Sequence, residues 1–263
     1  MKPIILFLGA GASASRHYPT VDHFFEHVGS PPGSGFKTAC QELARFIAIE
    51  EGTSDNLAWP LYNAEKLLGK LEQLTATEKV LNRELRIRLP NAQGDGVSAS
   101  DLTDFLKKEI VRLYGRRPSF SMEPPPDMDP LGGLFKIMNE RSPQSDPLHV
   151  FTTNYDTVVD KFFSEWSWKT AFDPYQPKLC SGFSSDRPGT WNPSTFDEKP
   201  RPNERLVHLH KLHGSTTWKY RAGSLGQREF VDTGWGEPTG EYDCVLYFGY
   251  KSVPETEPFK TLH

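Results

Sequence analysis

Four stretches of the chain are predominantly apolar and rich in β-branched or aromatic residues: Ile4–Leu8, Leu148–Thr152, Leu206–Leu212 and Cys244–Phe248. Short runs of this kind, bounded by turn-forming residues, predict buried strands, and strands buried on both faces suit a parallel sheet. Between them the apolar period lengthens to that of a helix. Phe36, Cys40, Leu43, Phe46 and Ile47 recur at helical spacing, as do Ala64, Leu67, Leu68, Leu71 and Leu74, with Asn63 placed to cap the second of these helices. Leu102, Phe105, Leu106, Ile110 and Leu113 predict another helix, which Gly115 would end. Val159, Phe162, Phe163 and Trp166 predict one more directly after the second strand.

The spacing of these elements is uneven. About 140 residues separate the first two strands, far more than a strand-to-strand crossover needs. Residues 50–145 therefore predict a mostly helical insertion, with residues 116–130 as a proline-rich loop inside it. Residues 170–205, rich in Pro, Ser, Asp and Asn, predict a long surface excursion. The expected class is α/β, with a parallel sheet covered by helices on both faces.

Composition narrows the function classes. A chain of 263 residues suits one large domain, or a core carrying an insertion. A net charge of -4 offers no basic footprint, so direct nucleic-acid binding is not expected. The apolar runs are too short to cross a bilayer, and Ile4–Leu8 is too short for a secretory signal, so no membrane partner is expected and the location is expected to be cytoplasmic. Cys40, Cys180 and Cys244 are far apart and form no C-x-x-C pair. That argues against a disulfide framework and against a cysteine-held zinc, and fits a reducing compartment.

Three of the strands run directly into segments that could carry chemistry. After Leu8 comes Gly9-Ala10-Gly11-Ala12-Ser13-Ala14, a weak form of the dinucleotide fingerprint G-x-G-x-x-A. Glycines there let backbone N–H groups approach a pyrophosphate, and a following helix N-terminus favours the anion; an ordinary strand-to-helix turn would look the same. The acidic residue that a redox dinucleotide enzyme carries at the end of its second strand has no counterpart, because no strand precedes Asp22 or Glu26. After the second strand come Thr153, Asn154, Tyr155 and Asp156, at the carboxyl end where open α/β sheets bind ligands. The same residues could simply turn the chain and cap the next helix. After the third come His213, Gly214 and Ser215: a His fit to act as general base beside a Gly that allows close approach. His208 and His210 precede it at strand spacing, which places them on the opposite face from His213. A metal site built from these three is therefore not expected, and His208 and His210 read as packing or hydrogen-bonded residues.

Taken in order, "LFLGAGAS", "FTTNYDTVVDKFF", "KLHGSTTW" and the late "YFGYKSVPETEPFKTLH" resemble the SIR2 (sirtuin) superfamily, in particular the bacterial SIR2-like group of antiphage defence systems. The resemblance runs through separated blocks over nearly the whole chain. It implies a Rossmann-like NAD-binding core in which Gly9, Ala10, Gly11, Ala12 and Ser13 cradle the pyrophosphate. It places Asn154 and Asp156 around nicotinamide and its ribose, beside Thr153 and Tyr155, and makes His213 the catalytic base, followed by Gly214 and Ser215. Deacylating sirtuins carry two C-x-x-C zinc pairs after the His-Gly motif, and here only Cys180 and Cys244 lie in the second half of the chain. They also follow the first loop with Gly-Ile-Pro-Asp-Phe-Arg, where this chain has Tyr18-Pro19-Thr20.

The activity so implied is hydrolysis of NAD to nicotinamide and ADP-ribose, with NAD as substrate and no zinc or other metal. An NAD-dependent protein deacylase is the alternative within the superfamily, disfavoured by the missing cysteines. A non-catalytic sensor of NAD or ADP-ribose is the alternative of another class. A homo-oligomer, or a following sensor or effector domain, is the expected further partner. Family members carry a later Gly-Tyr-Ser or Gly-Thr-Ser motif for the adenosine end, and nothing after Phe248 matches it, so the domain is expected to continue beyond residue 263.

Overall fold

The computed structural model describes residues 4–14, 16–20, 23–29, 35–52, 64–88, 96–115, 130–140, 146–165, 177–185, 188–202, 204–222, 228–234 and 243–246. The chain divides into two compact units, one built from Met1–Tyr18 and Tyr114–Tyr247, the other from Pro19–Leu113.

The first unit is α/β. Its main sheet is parallel, in the order β1 (Ile4–Leu8), β4 (Leu148–Thr152), β7 (Leu206–Lys211), β5 (Lys178–Cys180). Leu6 pairs with Val150 and Val150 with Leu209 in register, so the apolar residues of alternate positions fall on one face. Leu148, Val150, Val207 and Leu209 on that face are completely buried. So are Val158, Phe162 and Phe163 of α7 (Val158–Glu165), which follows β4, and Val159 is nearly so. The opposite face carries Ile5, Phe7, His149, Phe151, His208 and His210. There Phe7 stacks on Phe151 at 5.2 Å while remaining 75% exposed. A single helical turn, α1 (Gly11–Ala14), follows β1 and touches α6 (Pro130–Glu140).

A second sheet lies in the same unit. It is antiparallel, in the order β10 (Asp243–Leu246), β8 (Gly214–Ala222), β9 (Arg228–Asp232), β6 (Gly189–Thr190). Phe183, Trp218 and Phe230 form its core, with Trp191, Phe196, Leu212 and Tyr220 packed against them. Trp191 and Trp218 approach Phe183 with ring centroids 5.1 and 5.2 Å away. Large aromatic rings contribute most of the buried area in a cluster this small.

The second unit is mostly helical. It holds α2 (Phe24–His27), α3 (Phe36–Glu50), α4 (Ala64–Leu81), the hairpin strands β2 (Arg86–Ile87) and β3 (Val97–Ser98), and α5 (Ala99–Tyr114) up to Leu113. Ala39, Cys40, Leu43, Ala44, Ile47 and Ala48 make the buried stripe of α3. That helix stops where Gly52 takes a φ of +67°, which lets its N–H and that of Glu51 reach back to Ile49 and Ile47 carbonyls. Ser98 Oγ accepts the Asp101 N–H at 3.0 Å and so caps α5. A cleft of about 430 Å³ lies beside α3 and α4, lined by Phe46, Lys70, Leu74 and Ile87 among others.

Two expectations are corrected here. The run at Cys244–Phe248 does not join the parallel sheet: its described part, within β10, pairs antiparallel with β8. A short apolar run carries no signal of its partner's direction. Residues 170–205 are not wholly a surface excursion, because Lys178–Cys180 form the edge strand of the main sheet and Gly189–Thr190 join the second. Three- and two-residue strands leave no alternation to detect. Asn63, Trp166 and most of the 116–130 segment lie outside the described residues.

Gly182 has a φ of +85°, and a Cβ built there would lie 2.2 Å from Cζ3 of Trp191. Gly182→Ala combines a left-handed alanine with an overpacked ring, together roughly 2–4 kcal/mol. Denaturant titration should show that loss, with the tryptophan emission shifting to the red in the folded baseline.

Candidate functional site

The carboxyl ends of β1, β4 and β7 are adjacent, and the three candidate loops leave from them. Hydrogen bonds join each loop to the next. Leu212 N–H donates to the Thr152 carbonyl at 2.9 Å, extending the β4–β7 pairing past the end of β7. Thr216 N–H donates to the Tyr155 carbonyl at 3.0 Å, tying the start of β8 to the Thr153–Asp156 segment. Asn154 closes the other side. Its Nδ2 donates to the Gly9 carbonyl at 3.1 Å and to Ser13 Oγ at 3.0 Å. Both amide hydrogens of Asn154 thus point into the first loop, and the residue is only 7% exposed.

The loop so held has room beside it. A Cβ built on Gly9 or Gly11 would meet no atom within 4 Å. Neither glycine has a positive φ, so the backbone here does not demand glycine, and the missing side chains serve to leave space. The helix after the loop is a single turn closed by Ala12 N–H to Gly9 O at 2.9 Å, not the long helix of a dinucleotide fingerprint. Any anion in this loop would rely on local N–H groups and not on a helix dipole.

Asp156 is buried. Its Oδ1 accepts the Val158 N–H at 2.9 Å, the capping bond that the sequence allows. Burial pushes the carboxyl above its ordinary range, while the positive charge of Lys211, the Val158 N–H and a hydrogen bond from Ser13 pull the other way. Ser13 therefore bridges Asn154 and Asp156. Thr153 is exposed, and the buried ring of Tyr155 stands 6.1 Å from that of His213 and 6.3 Å from that of Tyr114. His213 is half-buried in the two-residue turn between β7 and β8. Gly214 follows at a φ of +85°, a conformation that a side chain would strain, and Ser215 is fully buried.

The structure adds a pair that the motifs do not name. Lys211, 0% exposed, donates to the backbone carbonyl of Asp156 and to Asp160 Oδ2, the latter at 2.9 Å. Neither residue stands out in the sequence: Lys211 closes β7, and Asp160 is the third residue of α7, which precedes that strand in the chain. A buried charge of this kind is found only where it is paired. On the far face, His208 and His210 do not meet His213, as strand alternation requires, but they do meet His149. The expectation against a metal concerns His208, His210 and His213 alone; His149 of β4 is not among them.

A scan against models of known protein families and a search of curated proteins find no match to this chain.

Lys211→Met leaves Asp160 buried without its cation and should cost about 3–5 kcal/mol in equilibrium unfolding. Adding Asp160→Leu should recover most of that loss, since an apolar pair of similar volume replaces the ions. The Asp156 carboxyl also imposes a pH dependence. Its folded pKa lies above the unfolded one, so between the two values the folded chain holds more protons. Stability from this group therefore declines as pH rises through that window and levels off above the folded pKa. Asp156→Asn should remove that decline from a stability–pH profile while keeping an acceptor for Val158.

Proposed function

We propose that the first unit is a Rossmann-like, NAD-binding core of the SIR2-like type, interrupted by Pro19–Leu113 as a helical insertion, and that it hydrolyses NAD to nicotinamide and ADP-ribose. One observation carries this reading: the Gly9–Ser13, Thr153–Asp156 and His213–Ser215 segments leave the carboxyl ends of three neighbouring parallel strands, laced together by the Asn154, Leu212 and Thr216 hydrogen bonds. Ligands of open α/β sheets bind at such ends. The open space at Gly9 and Gly11 suits a pyrophosphate, and the motifs in this order resemble those of the SIR2-like group.

Hydrolysis breaks the bond between the ribose C1′ and the nicotinamide nitrogen. The electron pair leaves with nicotinamide, and the sugar takes on oxocarbenium character. A water oxygen then bonds to C1′ and gives up its proton. His213, at the rim and half-buried, is the group to receive that proton or one from a ribose hydroxyl. Asp156 accepts from the nicotinamide amide, and Tyr155 walls the pocket. Asn154 acts mainly by holding the pyrophosphate loop against the ribose side, because its amide hydrogens are committed to Gly9 and Ser13. The resemblance to the antiphage-defence group sets the proposed role as an effector that depletes NAD.

The same commitment of Asn154 favours a second reading, a sensor that binds NAD or ADP-ribose without cleaving it. The two readings separate in one assay: incubate the purified chain with NAD and no acyl peptide, and follow nicotinamide by chromatography and NAD binding by calorimetry. Turnover is the expected result. His213→Ala should then lower it at least about 100-fold, roughly 2.7 kcal/mol of barrier, with binding retained. Asn154→Ala should lower turnover as far but weaken binding as well. Binding with no nicotinamide would establish the sensor, and neither binding nor turnover would remove NAD from the account.

A further inference from the structure

The face of the main sheet turned away from α7 carries three imidazoles from adjacent strands. His149 of β4 and His208 of β7 are direct register partners, and His210 lies two residues further along β7 on the same face. One ring nitrogen of each can be chosen so that all three atoms lie within 4.8 Å of one another. His149 Nδ1 and His210 Nε2 are 3.3 Å apart. Two nitrogens bound tetrahedrally to zinc at 2.0–2.1 Å stand about 3.4 Å apart, so this pair already has the spacing of two ligands of one ion. We propose that His149, His208 and His210 bind a single first-row transition-metal ion, zinc by preference, through three neutral imidazoles with the fourth position left to water.

Packing alone does not account for the cluster. His210 is well explained as an aromatic ring: it stacks on Phe151 at 4.4 Å and on Phe196 at 4.6 Å. His208 is not. It is 2% exposed, and neither of its ring nitrogens has a hydrogen-bond partner among the described residues. One ring nitrogen of a neutral imidazole carries a proton and the other a lone pair, and burying both unsatisfied is costly. A metal ion takes the lone pair and turns the misfit into a bond. Imidazole-only donor sets suit zinc, copper, nickel and iron over magnesium or calcium. Cys180 is the register partner of His208 on the other side, and a thiolate ligand is the main competing chemistry.

The site is separate from the strand-end loops, so its test does not depend on NAD cleavage. The whole chain is stripped with a chelator, dialysed, and titrated first with zinc and then with cobalt(II). One zinc per chain should bind and raise the melting temperature. The cobalt form should show visible bands of four-coordinate nitrogen and oxygen ligation, with no thiolate charge-transfer band and with contact-shifted N–H protons from three imidazoles. His149→Phe and His210→Phe should each weaken zinc binding at least about 100-fold, more than loss of an outer-sphere partner would. Absence of stoichiometric uptake by the wild-type chain would overturn the proposal and leave an aromatic packing cluster. A thiolate band, or zinc affinity unchanged in both variants, would place the metal elsewhere and overturn it equally. The wild-type cobalt spectrum decides the matter even if a variant fails to fold.

Discussion

A single ammonium group, Nζ of Lys211, sets how the end of β7 meets the start of α7. It has no exposure to solvent, so it must keep its two acceptors, the Asp156 carbonyl and the Asp160 carboxylate. One acceptor belongs to the loop after β4 and the other to the helix that follows. The lysine therefore fixes both to the third strand at once. Hydrophobic packing of Val158, Phe162 and Phe163 would tolerate a small slide of α7 along the sheet, because it has no direction. An ion pair with a buried cation does not, because any slide that lengthens it uncovers an unpaired charge.

With that frame fixed, the polar chain from Asn154 through Ser13 to Asp156 has little freedom. Its members come from positions far apart in the sequence, yet each is held by backbone as well as by side chain: Asn154 N–H on Thr152 Oγ1 at 3.1 Å, Asp156 on Val158, Ser13 within the α1 turn. Preorganised polar groups of this kind lose little entropy when a ligand arrives. The arrangement is better suited to holding loops in one geometry than to reshaping around a substrate.

Much of this was legible in the chain of letters, for physical reasons that differ by element. Ile4–Leu8 announces itself by an unbroken apolar run, although it lies at an end of the sheet, and Leu148–Thr152 by the Leu, Val and Phe of a strand paired on both sides. The helices α3 and α5 are legible because one stripe of each is buried and the other is wet. The candidate loops are legible because Gly, Asn, Asp and His cluster where apolar runs stop. Lys178–Cys180 is not legible: an edge strand of three residues with a lysine at its start carries neither period nor run. Lys211 and Asp160 are individually ordinary, and only the fold brings them within 2.9 Å. His149 is overlooked for the same reason, since its relation to His208 is a matter of strand register and not of sequence spacing.

The passage from β7 to β8 is two residues long, Leu212 and His213, and it joins sheets of opposite kinds. Leu212 packs into the aromatic core of the antiparallel sheet while its N–H is bonded to the end of β4. So short a joint stores no slack. Leu212 is committed to both sheets, so the place of the adjoining His213 backbone is set by the two of them together and not by a loop of its own.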